Sequence, residues 1–301
     1  MKRVVSVSLG SSTRDYSVEL EVLGEKFSLE RLGTDGSLKK AKKMLMELDG
    51  EVAALGLGGI DLYIRSQVKK YKLREAAKLI SDVEETPVVD GSGLKISLEK
   101  RVIKSLEKDY QLNLKGKNVL LTSAADRLGM ANAFEELDCN LCYGDLIFAF
   151  ALPLPIKSAA KMEVLIRLLA PLVKLLPIKT IYPTGAEQET TGNKKFASYY
   201  QWADVIAGDF HLIKKYLPLD LTDKTVITNT ITSAEVKLLK ERGVSTLVTT
   251  TPEFRGRSFG TNLLEALLVA ILDKSLAEIR TKDYLKIFDK LDFQPRVEAL
   301  E

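Results

Sequence analysis

Small, hydroxyl-bearing and acidic residues gather where short β-like runs end in the C-terminal two-thirds of the chain. They are Thr122-Ser123-Ala124, Asp145, Gly208-Asp209-Phe210-His211, Asn229-Thr230 and Thr249-Thr250-Thr251-Pro252. Ligands of an open parallel sheet bind beyond the carboxyl ends of its strands, so these residues predict a hydrogen-bonding crevice. The alternative is that strand-to-helix loops are polar in any protein. His211 is the sole histidine, which excludes a multi-histidine metal site. After Asp209 it could be a general acid or base near neutrality, or simply start a helix. A second cluster, Arg255-Gly256-Arg257-Ser258-Phe259-Gly260-Thr261-Asn262, precedes the apolar run Leu263 to Leu272. Helix N-terminal amides and guanidinium groups both favour anions, so Arg257, Ser258 and Asn262 are expected to bind a substrate carboxylate or a phosphate. The opening turn Gly10-Ser11-Ser12-Thr13-Arg14-Asp15, with Ser11 and Ser12, is a further carboxylate candidate, or a polar hairpin loop. Cys139 and Cys142 spell CxxC, but on a strand they point to opposite faces and read as core.

The elements that must position these residues fall into two patterns. The first thirty-odd residues alternate as antiparallel strands. A helix follows from about Ser37 to a stop at Gly50, then a strand over VAALGL, a helix near Leu73 to Ile80 and a short strand from Pro87 to Val89. After Asp90-Gly91-Ser92-Gly93 and a connecting helix, Leu94 to Lys108, strands near Val119, Cys139, Val205, Val226 and Thr246 alternate with helices. That alternation predicts right-handed βαβ units in a parallel sheet. Ser233 is the expected N-cap of one of the helices, and the helix Leu276–Lys290 with the tail is expected to pack back on the first domain. The expected fold is therefore α/β, with a mixed N-terminal domain over residues 1–93 and a Rossmann-like parallel-sheet domain over 94–301.

The unit KNVLLTSAADRLGMANAFEELDCNLCYGD has the outline of a dinucleotide fold. Gly129 sits where helix and strand must pack closely, and Asp145 ends the second strand where an acid can bind ribose hydroxyls. Set against the pattern TGxxxGxG, Ser123 and Arg127 occupy glycine positions. Thr122, Ser123, Gly129, Asp145, Asn229 and Thr250 are the expected cofactor contacts.

Asp90-Gly91-Ser92-Gly93-Leu94, the helix after it and LNLKGKNVLLTSAADRLGMA resemble the domain junction of shikimate and quinate dehydrogenases. The whole chain, with TTTPEFRGRSFGTNLLEALL, is similar to bacterial proteins described as quinate 5-dehydrogenases. The resemblance implies a catalytic aspartate at Asp90. It also implies a lysine partner from an N-V-T-x-P-x-K segment that this sequence lacks. Glu265 stands where the family has a substrate-binding glutamine; an ionised glutamate only accepts hydrogen bonds. The implied activity is that of an NAD(P)-dependent oxidoreductase acting on a polyhydroxy carboxylic acid, with Asp90, Asp61 and His211 as catalytic candidates. The cofactor is NAD or NADP, NAD favoured through Asp145, or none. The alternative function is a ligand-binding or regulatory protein that retains the fold without catalysis.

Composition limits the partners. The net charge of +3 gives no electrostatic reason to expect nucleic acid or an anionic membrane. Charges and prolines interrupt the most apolar stretch, Leu146 to Leu176, which argues against a membrane span. With two cysteines and no apolar leader after Met1-Lys2-Arg3, a cytoplasmic setting is expected. A small-molecule carboxylic acid is the expected partner, with a homodimer left open.

Overall fold

The computed structural model describes residues 1–181, 194–254, 257–291 and 293–300. Two β-sheets with helices on their faces organise these residues. The first is built around β1 (Lys2–Ser8), whose Ser6 and Ser8 are buried along with its valines. β2 (Tyr16–Val22) and β3 (Glu25–Gly33) form an antiparallel hairpin over Leu23 and Gly24, both at positive φ (53° and 83°). Such turns match the twist of the flanking strands. The expectation of antiparallel strands holds for that pair alone, because β1 lies parallel to β3 and to β4 (Ala54–Gly58). A central strand buried on both faces reads as an alternating one when its polar positions are small serines.

Beyond β4 a small antiparallel pair, β5 (Tyr63–Arg65) and β6 (Lys70–Lys72), stands apart from the sheet. β7 (Val88–Val89) then returns parallel to β4, giving the order β2-β3-β1-β4-β7. α1 (Leu38–Glu47), which begins about where expected and is capped by Ser37, and α2 (Arg74–Leu79) cover one face through Ala41, Leu45, Ala76 and Leu79. α3 (Ser92–Asp109) follows Gly91, whose φ of 88° suits glycine.

The second sheet holds β8 (Asn118–Leu121), β9 (Asn140–Tyr143), β10 (Val205–Ala207), β11 (Thr225–Thr228) and β12 (Thr246–Thr249), all parallel. Their order, β9-β8-β10-β11-β12, reverses between β8 and β10. That is the switch point at which doubly wound sheets bind ligands. β13 (Glu253–Phe254) and β14 (Arg257–Ser258) make a separate ribbon. β15 (Arg296–Ala299) pairs antiparallel with β12, so the tail completes the second sheet instead of packing on the first domain.

The helices between these strands are α4 (Leu128–Glu136), α5 (Asp145–Phe150), α6 (Ala159–Val173), α7 (Ile178–Ile181), α8 (Ala197–Trp202), α9 (Phe210–Lys215) and α10 (Ser233–Glu241). α10 starts one residue earlier than the sequence implied. Its cap is Thr232, because Glu235 completes a capping box with it. Among the described residues no helix is long and apolar enough to cross a membrane.

α11 (Thr261–Leu272) and α12 (Thr281–Lys290) finish the helical layer. α11 is buried on nearly all sides because it sits against the first sheet. The Asn262 amide donates to Ser6 Oγ at 2.5 Å, and Lys2 Nζ donates to Ala270 O at 3.3 Å. A Cβ on Gly91 would lie 2.8 Å from the Asn262 nitrogen. Gly91→Ala therefore combines left-handed strain with overpacking, and should cost about 2–4 kcal/mol in urea denaturation with the m-value unchanged.

Candidate functional site

Loops from both sheets and one face of α6 enclose a cleft of about 340 Å³. The first sheet contributes Ser6, Ser8, Asp61 and Asp90, and the switch point contributes Ser123, Asp126, Asp209 and His211. Met162, Ile166 and Leu169 of α6 add an apolar wall.

Lys95, in the first turn of α3, centres the polar side. Its ammonium donates to Asp61 Oδ1 at 2.7 Å and to Asp126 Oδ1 at 2.6 Å, and the residue is 7% exposed. Four residues on, the same helix face carries Glu99, which pairs with the Arg127 guanidinium. Arg127 also meets Asp126 at 3.3 Å and Asp209 at 3.2 Å. Two cations thus face four carboxylates with little access to water.

Burial and the adjacent Asp126 charge push Asp61 up to about 7, against the pull of Lys95. Burial would raise Asp126 as well, but Lys95 and Arg127 hold it well below the usual carboxylate range. Burial raises Glu99 despite its arginine. The cluster therefore keeps a proton close to neutrality, as an acid–base centre requires.

A second polar wall comes from the loop after β1 and from β3. Arg31 donates from Nη1 to Asp15 Oδ1 at 2.8 Å and from Nη2 to Ser8 Oγ at 3.0 Å. Burial and the nearby Arg14 charge lower the Arg31 pKa, against the pull of Asp15. Arg14 reaches across to His211 Nε2 at 3.1 Å. Arginine only donates, so Nε2 accepts and the neutral ring carries its proton on Nδ1. Burial holds His211 below its ordinary pKa, against the pull of Asp209.

The expected cofactor contacts separate. Ser123, Asp145 and Asn229 line the cleft, whereas Thr122, Gly129 and Thr250 are not among its lining residues. Thr122 and Thr250 are almost fully buried. Gly129 faces α3, where a Cβ would lie 2.6 Å from Ile96 O, so its small size serves helix–helix packing, not helix–strand packing. Asp145 is also placed otherwise than expected. Its carboxylate accepts the Ala124 and Ala125 amides, both at 2.9 Å, and closes the turn after β8 instead of standing free for a ribose.

Of the catalytic candidates, Asp61, Asp90 and His211 all line the cleft, but Asp90 accepts the backbone amides of Leu62 (2.6 Å) and Ser92 (2.9 Å). Asn262 lines the cleft as well. Glu265 is buried beside Gly93 and accepts from the Tyr284 hydroxyl at 3.0 Å, joining α11 to α12. Ser11 caps its own turn and Ser12 donates its amide to Asp35. Neither serine is among the lining residues. Arg255 and Gly256 lie outside the described residues, as do the side chains of Arg257 and Ser258. Sequence reasoning missed Lys95, Glu99, Asp126 and Arg31, while Arg14 belongs to the opening turn it had singled out. Lys95 and Glu99 share a face of the predicted helix after Asp90, which was the available signal. Among the described residues no group of His, Cys, Asp and Glu could hold a metal ion.

The chain belongs to the family described as Domain of unknown function (DUF8754), whose model matches residues 93–300. Residues 3–90 match a second model, Domain of unknown function (DUF8753). No curated protein matches. Solved structures with a distant likeness include the hetero-hexameric glutamate dehydrogenase of Thermus thermophilus, at 14% identity and TM-score 0.42, over 97% of this chain and 74% of that one. The glucose-galactose binding protein GanP of Geobacillus stearothermophilus shares 10% identity at TM-score 0.38, over 99% and 97% of the two chains. L-tryptophan dehydrogenase of Nostoc punctiforme shares 14% at TM-score 0.36, over 89% and 68%. At this degree of likeness none of them bears on what the chain binds.

Removing a cation from the cluster leaves a buried carboxylate unpaired. Arg127→Met should therefore destabilise the protein by about 3–5 kcal/mol in chemical denaturation. Asp61 behaves differently, because its folded pKa lies above its unfolded one. The stability linked to that proton is present at low pH and is lost as pH rises from about 4 through about 7. Asp61→Asn should flatten the stability–pH curve across that window, measured by denaturation at a series of pH values.

Proposed function

We propose that the cleft binds a small polyhydroxylated carboxylic acid and handles the proton of one of its hydroxyls at Lys95 and Asp61. The observation that carries this reading is the Lys95 ammonium, held between Asp61 and Asp126 in the same cleft as Arg14 and Arg31. A lysine–aspartate pair is what the resemblance to shikimate and quinate dehydrogenases implies. Here the aspartate that touches the lysine is Asp61, and the motif-matched Asp90 braces the backbone beside it. Lys95 donates to the substrate hydroxyl oxygen, and Asp61 takes or returns its proton. Arg14 and Arg31 supply the counter-charge for the carboxylate. Arg257 and Ser258, on the ribbon before α11, are proposed as further partners of that group. The α6 wall receives the carbon skeleton.

Oxidation of the hydroxyl by NAD(P), which the resemblance also implies, requires a pyrophosphate at the turn after β8. The two amides it would use are bonded to Asp145, so a dinucleotide does not fit the turn as it stands. That observation favours a second reading, a ligand-binding or regulatory protein that keeps the fold without redox chemistry.

Calorimetric titration with quinate, shikimate and neutral polyols of similar size tests the proposal. A hydroxy acid should bind, with Lys95→Ala and Arg31→Ala each weakening it by about tenfold or more. Binding of neutral polyols that is indifferent to Arg31→Ala would reject the carboxylate assignment. Turnover of a hydroxy acid with NAD or NADP would restore the dehydrogenase reading.

A further inference from the structure

Backbone amides at the first strand-to-helix turn of a doubly wound sheet ordinarily donate to the phosphates of a ligand. In this chain the turn runs from Thr122 to Arg127, at the β8 side of the switch point. The Ala124 amide donates to Asp145 Oδ2 and the Ala125 amide to Asp145 Oδ1, each at 2.9 Å, so one carboxylate grips both donors. Asp145 comes from the start of α5, at the end of the neighbouring strand β9. The next side chain of the turn, Asp126, is a second carboxylate bonded to Lys95. Arg127 brings no positive charge to the cleft's ligand, because it is 1% exposed and spent on Glu99, Asp126 and Asp209.

We infer that Asp145 is a built-in anion, standing where a phosphate would stand, and that the wild-type cleft accepts only ligands without a pyrophosphate. Geometry alone supports this: a bidentate carboxylate satisfies two parallel amide donors as a phosphate oxygen pair does. A dinucleotide would have to displace it and leave a carboxylate unpaired beside Asp126. Burial pushes Asp145 up to about 6 even with both amide bonds in place, so the carboxylate without them would be costlier still. Removing the side chain frees the two amides next to Ser123 Oγ, a buried hydroxyl with no hydrogen-bond partner among the described residues. The inference does not rest on the proposed hydroxy-acid substrate, since it is argued from the bonds of Asp145 to the Ala124 and Ala125 amides.

The experiment is calorimetric titration of the full chain with NAD, NADP and inorganic pyrophosphate, in wild type and in Asp145→Ala. Wild type should show no binding of any of the three at millimolar concentration. Asp145→Ala should bind pyrophosphate at least about tenfold more tightly than wild type, with an affinity that falls as salt rises. Should Asp145→Ala fail to fold, Asp145→Asn replaces it, since it keeps one acceptor on the turn and removes the charge. Binding of either dinucleotide by wild type overturns the inference. So does a folded variant of wild-type melting temperature that still takes no pyrophosphate, for the turn would then be no anion cradle. Hydroxy-acid binding is read in a separate titration, so its failure would not touch this result.

Discussion

Lys95 and Arg127 are among the least hydrated cations in the protein, and neither can sit where it does without carboxylates from elsewhere. Asp61 arrives from the turn after β4, Glu99 from α3, Asp126 from the turn after β8 and Asp209 from the end of β10. The two cations therefore hold together segments separated by well over a hundred residues. Burial first, and the neighbouring Asp126 charge second, raise Asp61 to about 7, on the acid side of the cluster. The feature that fixes the two sheets against each other thus also gives the cleft its acid–base character. α3 is the element that makes this possible: its N-terminal turn presents Lys95 to the cleft, and the next turn presents Glu99 to Arg127.

The cleft has three chemically distinct walls. One is the proton-holding cluster, one is the arginine end with Arg14 and Arg31, and one is apolar α6. The apolar wall and the arginine end face the same cleft, so its polarity changes from one side to the other. The Arg14–His211 contact joins the loop after β1 to the loop after β10, and so ties the two sheets together along the cleft.

The architecture was largely legible in the sequence, because helix stripes and strand alternation report burial directly. The strands from Val119 to Thr249 could be read from their spacing. The parallel pairing of β1 could not, since Ser6 and Ser8 imitate the exposed positions of an edge strand. The placement of α11 against the first sheet was also out of reach, because an apolar helix does not disclose which surface it covers. Of the residues singled out on glycine-rich turns, Asp61 and His211 line the cleft. Lys95 was hidden for a physical reason: a lysine on a predicted helix ordinarily reads as solvated, and only the three-dimensional arrival of Asp61 and Asp126 makes its burial tolerable. Asp145 was singled out as a ribose ligand, but the direction of its carboxylate depends on a turn whose backbone geometry no spacing rule supplies.

The position of α11 has a consequence for how this chain can be made and divided. Residues 3–90 match one family model by themselves, yet a helix that closes their sheet is encoded about two hundred residues later. The first sheet keeps one face incompletely covered until Thr261–Leu272 is in place, so its completion depends on the far end of the second matched region. For the same reason the two matched regions are not interchangeable modules. A recombination that exchanged one without the other would have to supply a new cover for β1 and β4.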